Sequence, residues 1–242
     1  MSIIVGKVVE ITRYPVKSMA GEPMSTAEID WQGIEGDRQY CLYRTADKGR
    51  FPWLSGRDFS KLVTYRARFR EPADPRASPV DVLTPDGSSL ALDDPGLLAE
   101  IGEGAGRAIG LIQSGRGLAD AMPASIISTA THAALGEAHG APLDRRRFRA
   151  NILIESDVRE SEWRGRRLRF GRKADGAPDG AELLVADAIP RCALITIDPD
   201  TGMRDPAVMR TVARKFGNLI GVYAMPAKPG IVRLGDAAWL GD

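Results

Sequence analysis

A mainly β fold with short helices (α+β) is the architecture the sequence predicts, on three observations. Runs rich in Ile and Val recur along the chain, beginning at 3–11, and β-branched residues suit the pleated surface of a strand. Clusters of turn formers close such runs, most clearly Pro85-Asp86-Gly87 and Asp198-Pro199-Asp200-Thr201-Gly202. Helical periodicity is confined to short stretches, chiefly 126–140 and the segment after Asp205-Pro206. With 242 residues, the chain has room for one large or two small domains.

Composition narrows the function classes. The 33 Lys+Arg nearly balance 32 Asp+Glu, so no general affinity for nucleic acid or membrane is expected. The first residues lack the apolar core and cleavage site of a leader, and no stretch approaches the roughly 20 apolar residues of a bilayer span. The expectation is a soluble cytoplasmic protein. Cys41 and Cys192 can make neither a disulfide framework nor the four-thiolate site of an ordinary iron-sulfur cluster. Any electrons must therefore come from another protein or cofactor.

In chain order, 3–11 reads as a strand, and Pro15 then excludes a helix and leaves a loop carrying Lys17 and Ser18. A second strand is expected over 25–31. A turn at 33–36 delivers Asp37-Arg38 to a third strand at 39–44. Segment 71–78 is dominated by Pro, Ala, Asp and Arg and reads as surface loop. Beyond it, 80–83 and 90–92 flank Pro85-Asp86-Gly87 as a hairpin, and a short helix begins near Asp94-Pro95. No period survives over 102–123. The domain boundary is placed there, dividing 1–115 from 116–242.

The stretch 126–140 is helical in pattern: Ser128 can cap it, Ala130, Ala133, Ala134 and Leu135 give an apolar face, and Gly140 can end it. The free N–H groups at its start, near Ser128 and Thr129, could bind an anion or be satisfied by capping alone. His132 and His139 would lie about 10 Å apart on this helix, too far to share a metal, and read as structural or surface residues. The segment 144–155, DRRRFRANILIE, reads as a strand with Arg147, Arg149 and Asn151 on one face. That face is either a solvated sheet surface or an anion-binding row. The basic run 163–173 lacks the aromatic platforms of single-strand binders and reads as a solvated edge, with docking of an acidic redox partner a weaker reading.

The central segment is 189–202, IPRCALITIDPDTG, which alternates like a short strand before its turn. Cys192 near its start is either a small buried hydrophobe or a thiolate facing a cleft, a form that nearby cations favour and that suits a soft metal. Arg191 would point opposite to Cys192 on a strand, leaving Arg149 an equal candidate to ionise the thiol. Beyond it, Asp205-Pro206 opens a helix with Val208, Met209, Val212 and Phe216 toward the core, and 219–225 and 230–240 close the chain as strands.

Four of these segments together resemble a known family. Arg191-Cys192 followed by an aliphatic and Thr run and Asp198-Pro199-Asp200-Thr201-Gly202 is similar to the molybdenum-ligand segment of MOSC-domain proteins, which include the mitochondrial amidoxime reducing component and bacterial relatives. Tyr14-Pro15-Val16-Lys17-Ser18 with Gly36-Asp37-Arg38 resembles the opening of the N-terminal β-barrel domain that precedes MOSC domains. Arg147-Phe148-Arg149 with Asn151-Ile152 resembles a MOSC motif that usually has Pro at the place of Ala150, and Trp163-x-Gly165 with Leu168-x-Phe170-Gly171 is similar to its strand pair. Leu54-Ser55-Gly56-Arg57 is a less specific match that makes Arg57 a possible rim residue.

The resemblance implies a β-barrel-like MOSC fold with an N-terminal β-rich domain, and the molybdenum cofactor (Mo-molybdopterin) as ligand. It implies Cys192 as metal ligand and catalytic residue. Cofactor contacts would come from Lys17, Ser18, Arg38, Arg147, Arg149, Asn151 and Arg191, with Ser128, Thr129 and Thr131 on its phosphate. The implied activity is reduction of N-hydroxylated small molecules. Relatives sometimes carry a ferredoxin domain that this sequence lacks, so a separate electron-donor protein is expected. The same features would serve a cofactor carrier or sulfur-transfer module, and more remotely a barrel for another phosphorylated ligand such as a flavin.

Overall fold

The computed structural model describes residues 2–115, 117–118, 121, 123–171 and 180–242. The strands of the first half are β1 (Ile3–Arg13), β2 (Glu22–Met24), β3 (Thr26–Asp30), β4 (Gly33–Ile34), β5 (Tyr40–Arg44), β6 (Arg66–Phe69), β7 (Val80–Leu83), β8 (Ser89–Ala91) and β9 (Ile109–Gln113). The second half supplies β10 (Ala124–Ser128), β11 (Ile152–Glu155), β12 (Arg167–Gly171), β13 (Glu182–Pro190), β14 (Leu219–Lys228), β15 (Gly230–Arg233) and β16 (Ala237–Gly241). Helices are α1 (Pro95–Ala105), α2 (Thr129–His139) and α3 (Pro206–Phe216).

The mainly β expectation holds, and the central feature is a closed seven-stranded barrel. Its order is β11-β10-β14-β13-β12-β16-β1, with β2 added outside, and it closes because β1 pairs with both β16 and β11. Closure leaves no open edge among those seven strands. The interior is apolar, with Val8, Ile11, Ile126, Ile152, Ile154, Leu168, Phe170, Leu183, Val185, Val222 and Leu240 in one buried cluster. β10 and β11 are parallel and joined through α2, so β10 is buried on both faces. Ile126 faces the barrel core while Ile127 packs with Leu135, Val208 and Val212 in a second cluster under α2 and α3.

A third core belongs to the first half. Val16, Met19, Leu42, Leu54, Leu62, Tyr65, Val82, Leu97 and Ile101 cluster there, served by the β6-β7-β8 sheet, the β5-β9 pair and α1. Asp94 caps α1 ahead of Pro95, as the sequence suggests. The division at 115/116 does not separate two strand sets: β1 and β2 lie in the barrel, and β3 pairs with β15. Within 102–123, α1 continues to Ala105 and β9 forms against β5, so less of this segment is irregular than its pattern suggests.

Two expected strands are corrected. Segment 144–155 is not one strand: Asp144 accepts the Arg146 N–H and opens a 3-10 turn over Arg145–Phe148, Arg149 is left-handed with φ 51°, and strand structure starts only at Ile152. Local capping by the Asp side chain outcompetes extension. Arg147, Arg149 and Asn151 therefore do not share a sheet face. Likewise β13 ends at Pro190, and Cys192 precedes a 3-10 turn over Ala193–Thr196 that the Thr196 hydroxyl supports by donating to the Ala193 carbonyl at 2.7 Å. Strand alternation consequently says nothing about where Arg191 points. Of the basic run, Arg172 and Lys173 lie outside the described residues. Arg164, Arg167 and Arg169 form ion pairs with Asp187 and Glu182. No helix among the described residues is long and apolar enough to cross a membrane.

Candidate functional site

A cleft of about 640 Å³ opens between the two halves of the chain. One wall is Thr12, Tyr14, Gly21, Pro23, Val63, Arg66 and Arg68; the other is His132, the Leu143–Arg149 turn, Leu194, Ile197 and Pro199. Gly56 lets the walls approach. A Cβ there would lie 2.5 Å from Leu194 Cδ1 and close to Ile197 and Val63, so a larger residue in the Leu-Ser-Gly-Arg segment would push these wall side chains aside. Arg57 beside it is exposed, and its carbonyl accepts from Arg204 Nη2 at 3.0 Å rather than its side chain entering the cleft.

At one end of the cleft Tyr14 lies between two guanidinium groups, Arg149 at 4.2 Å and Arg38 at 4.8 Å from the ring centre. Burial pushes the Tyr14 phenol up, opposed by Arg149 and Arg38, so it remains a neutral donor toward the Ala150 carbonyl. Arg38 pairs with Asp37 and donates to Asn151 Oδ1 and the Arg149 carbonyl. Arg149 Nη1 donates to the Met19 carbonyl at 2.7 Å. Asn151 is buried; its Oδ1 accepts from both the N–H and hydroxyl of Ser125, and its Nδ2 donates to the Thr12 carbonyl. Lys17 Nζ donates to the Leu118 carbonyl at 2.7 Å. Ser18, Arg38 and Arg149 are three of the four non-glycine residues with positive φ among those described, so backbone strain concentrates around this cluster.

Cys192 is exposed, whereas Cys41 is buried and donates to the Leu42 carbonyl. This resolves the two readings of Cys192 in favour of an accessible thiol. Its chain continues directly into Leu194 and Ile197 of the cleft wall. Arg191 donates from Nε to the Ile220 carbonyl at 2.8 Å and from Nη1 to the Phe148 carbonyl at 2.7 Å, while Nη2 is buried without a partner. Burial pushes Arg191 down to about 10, and the negative forms of Tyr223, Cys192, Glu160 and Tyr14 act against it. Arg191 is therefore a cation within electrostatic reach of the thiol, and Gly221 makes room for it: a Cβ there would lie 3.0 Å from Arg191 Nη2.

The Asp-Pro-Asp-Thr-Gly turn anchors the second wall. Burial alone would raise Asp198, but the N–H and hydroxyl of Thr201, the Asp200 N–H and Arg147 hold it below the usual carboxylate range. Arg147 spans Asp198 at 2.9 Å and the Thr196 carbonyl at 3.0 Å, leaving its buried Nε without a partner. His132 lines the cleft, and its Nε2 is also buried without a partner.

Both halves of the chain match known domains. The MOSC domain matches residues 114–238 and the MOSC N-terminal beta barrel domain residues 5–96. The chain belongs to the MOSC family. Among solved structures, the YuaD protein from Bacillus subtilis aligns over 99% of this chain and 97% of its own with TM-score 0.53 and 14% identity, a likeness of fold. YiiM from Geobacillus stearothermophilus aligns over 50% of this chain and 55% of its own with TM-score 0.35 and 13% identity. No curated protein matches the sequence.

In this MOSC protein, the structure gathers Arg38, Arg149 and Asn151 around Tyr14 and sets Arg147 in the cleft wall, while Arg191, bonded to the Phe148 and Ile220 carbonyls, and Cys192 are not among the residues that line the cleft. The structure does not bring Ser128, Thr129 and Thr131 there either. Ser128 caps α2, and its N–H, its hydroxyl and that of Thr131 all donate to the buried Glu160 carboxylate at 2.9, 2.6 and 2.6 Å. Thr129 exchanges hydrogen bonds with the backbone of Ser156. The anion for this helix start is thus a side chain of the protein itself. Sequence reasoning missed Tyr14, though it lies within a matched motif, and missed the access of His132 to the cleft. Glu160 carried no signal, since nothing local marks a carboxylate that will fold onto a helix 32 residues away from its cap.

Proposed function

We propose that the chain binds the molybdenum cofactor in this cleft and reduces N-hydroxylated small molecules with electrons from a separate donor protein. The observation that carries the reading is the exposed Cys192 thiol, two residues before Leu194 of the cleft wall and next in sequence to the Arg191 cation, in a chain of the MOSC family. The residues fit such a group. No cluster of three or more His, Cys, Asp or Glu able to hold a metal occurs among the described residues, so the fit is to a metal that brings most of its ligands and takes one protein thiolate. Arg147 lines the cleft, and its buried Nε lacks a partner, which makes it a candidate donor for an anionic ligand.

In this reading Cys192 is the thiolate ligand and catalytic residue, and Arg191, Arg147, Arg149 and Arg38 supply positive charge toward the pterin and its phosphate. Lys17, Ser18 and Asn151 act by fixing the loops that carry those arginines. When bound, the cofactor supplies a redox metal that can take oxygen from nitrogen. The protein contributes orientation, electrostatics and a cleft that admits substrate. The test is molybdenum and pterin analysis of protein made in a host competent for cofactor synthesis. Wild type should carry near-stoichiometric amounts of both, Cys192→Ala should lose the metal, and the loaded protein should reduce benzamidoxime with an artificial donor. Folded protein free of both metal and pterin would overturn the reading.

Exposure of Cys192 also favours a second reading, a carrier or sulfur-transfer module holding a persulfide there. Stoichiometric pterin with no turnover of any N-hydroxylated compound would select it.

A further inference from the structure

The cleft carries positive charge that the protein does not neutralise, and this charge sits on the wall furnished by the first half of the chain. On the opposite wall, Arg145 pairs with Glu10 at 2.5 Å, Arg146 is held between Asp144 and Asp200, and Arg147 is held by Asp198. Arg66 and Arg68 differ. Along β6 the pattern alternates exposed and buried, so Ala67 and Phe69 face the core while both arginines face the cleft. Neither side chain makes a hydrogen bond or ion pair with another described residue. Asp81 stands across the strand pair from Arg68, but its carboxylate is engaged by Arg70 at 2.6 Å.

Resting on the cleft being the ligand site, we infer that Arg66 and Arg68 recognise a phosphomonoester on the molecule that occupies it. Two residues apart on a strand, the pair is separated by about 7 Å along the backbone, which lets two guanidinium forks converge on one group of three equivalent oxygens. Val63, Leu143, Leu194 and Ile197 line the space between the walls and suit an apolar body attached to that group. The phosphate belongs either to the cofactor or to the substrate, and the chemistry of recognition is the same.

The experiment compares wild type with Arg66→Ala/Arg68→Ala, both full-length and both made without cofactor, by calorimetric titration with phenyl phosphate and with phenol. Wild type should bind phenyl phosphate, the double variant should bind it about tenfold or more weakly, and phenol should not distinguish them. Arg66→Lys/Arg68→Lys should recover part of the affinity, since charge returns without the fork. Equal binding of phenyl phosphate by wild type and the Ala variant, or binding by neither, overturns the inference. Thermal melting of each variant guards against misfolding, which exposure of both residues makes unexpected. Protein made with cofactor then separates the sources. A fall in pterin content in the Ala variant assigns the phosphate to the cofactor; unchanged pterin, with KM raised only for a phosphorylated N-hydroxylated substrate, assigns it to the substrate. Failure of the cofactor reading shows separately, as wild type without pterin that still binds phenyl phosphate.

Discussion

Two places in this protein gather donors suited to negative charge, and they are used in opposite ways. At the start of α2, four donors converge on the Glu160 carboxylate: the N–H and hydroxyl of Ser128, the hydroxyl of Thr131 and the N–H of Gly221. That carboxylate is only 1% exposed, so the charge is enclosed with its donors. In the cleft, donors instead line an open space, and Arg66 and Arg68 find no carboxylate. The difference teaches that a helix start favourable to anions marks a ligand site only when the fold leaves it unfilled.

The sharpest way to break this contrast is to empty the filled site. Glu160→Ala strands four buried donors and should cost about 3 kcal/mol or more in urea unfolding at neutral pH; Glu160→Gln, which keeps an acceptor, should cost about 1–2 kcal/mol. A loss below about 1 kcal/mol for the Ala variant would mean that Glu160 is not the structural anion described here. Asn151 tests the boundary between the two kinds of site, because it borders the cleft yet bonds Ser125, Thr12 and Arg38. Asn151→Ala should cost about 2 kcal/mol by the same measurement. The exposed pair Arg66→Ala/Arg68→Ala should stay within about 0.5 kcal/mol of wild type.

The same contrast explains what was legible in the sequence. Period and turn chemistry marked β3, β5, the β7–β8 hairpin and all three helix starts, because those signals are local. Closure of the barrel was not legible, since it depends on β1 pairing with strands more than 140 residues later. Alternation misled at 144–155, where a single Asp144 side chain bond turns the Arg-rich segment into a 3-10 turn. The motifs around Lys17, Arg38, Arg149 and Cys192 pointed to one neighbourhood, but the sequence could not tell side chains that build it from side chains that face into it. Lys17 and Asn151 are held by internal carbonyls, whereas Arg66 and Arg68, which face the open space, belong to no motif.

Acid should act on the second cleft wall before the barrel. Asp200 is held low by its hydrogen bonds to Arg146, while Asp144 and Asp198 lie below the usual range although burial alone would raise them. A depressed folded-state value means that their stabilisation is present above the unfolded value of about 3.9 and lost as pH falls through the folded values. Because Asp200 is largely exposed, its pairing should contribute no more than about 1 kcal/mol. Arg146→Ala should therefore flatten the fall in stability below pH ~4 without changing the barrel's unfolding at pH 7 by more than that amount. An unchanged acid limb would show that the pairing of Arg146 with Asp144 and Asp200 adds nothing measurable to a turn already held through Asp198 by Thr201 and Arg147.

The smallest effect on stability should come from the residue with the largest proposed effect on function. Cys192 is exposed and its side chain caps nothing, so Cys192→Ala should shift the unfolding free energy by less than about 0.5 kcal/mol. Cys41 is its internal control: it is fully buried, so Cys41→Ala removes packed volume and should cost about 1 kcal/mol. Alkylation of native protein with iodoacetamide, read by mass spectrometry, should label Cys192 and spare Cys41. If both react alike, the exposure that separates them in the fold does not persist in solution. If Cys192→Ala instead unfolds the protein, the thiol is a structural group, and the difference drawn between filled and open sites fails at the residue on which the open site most depends.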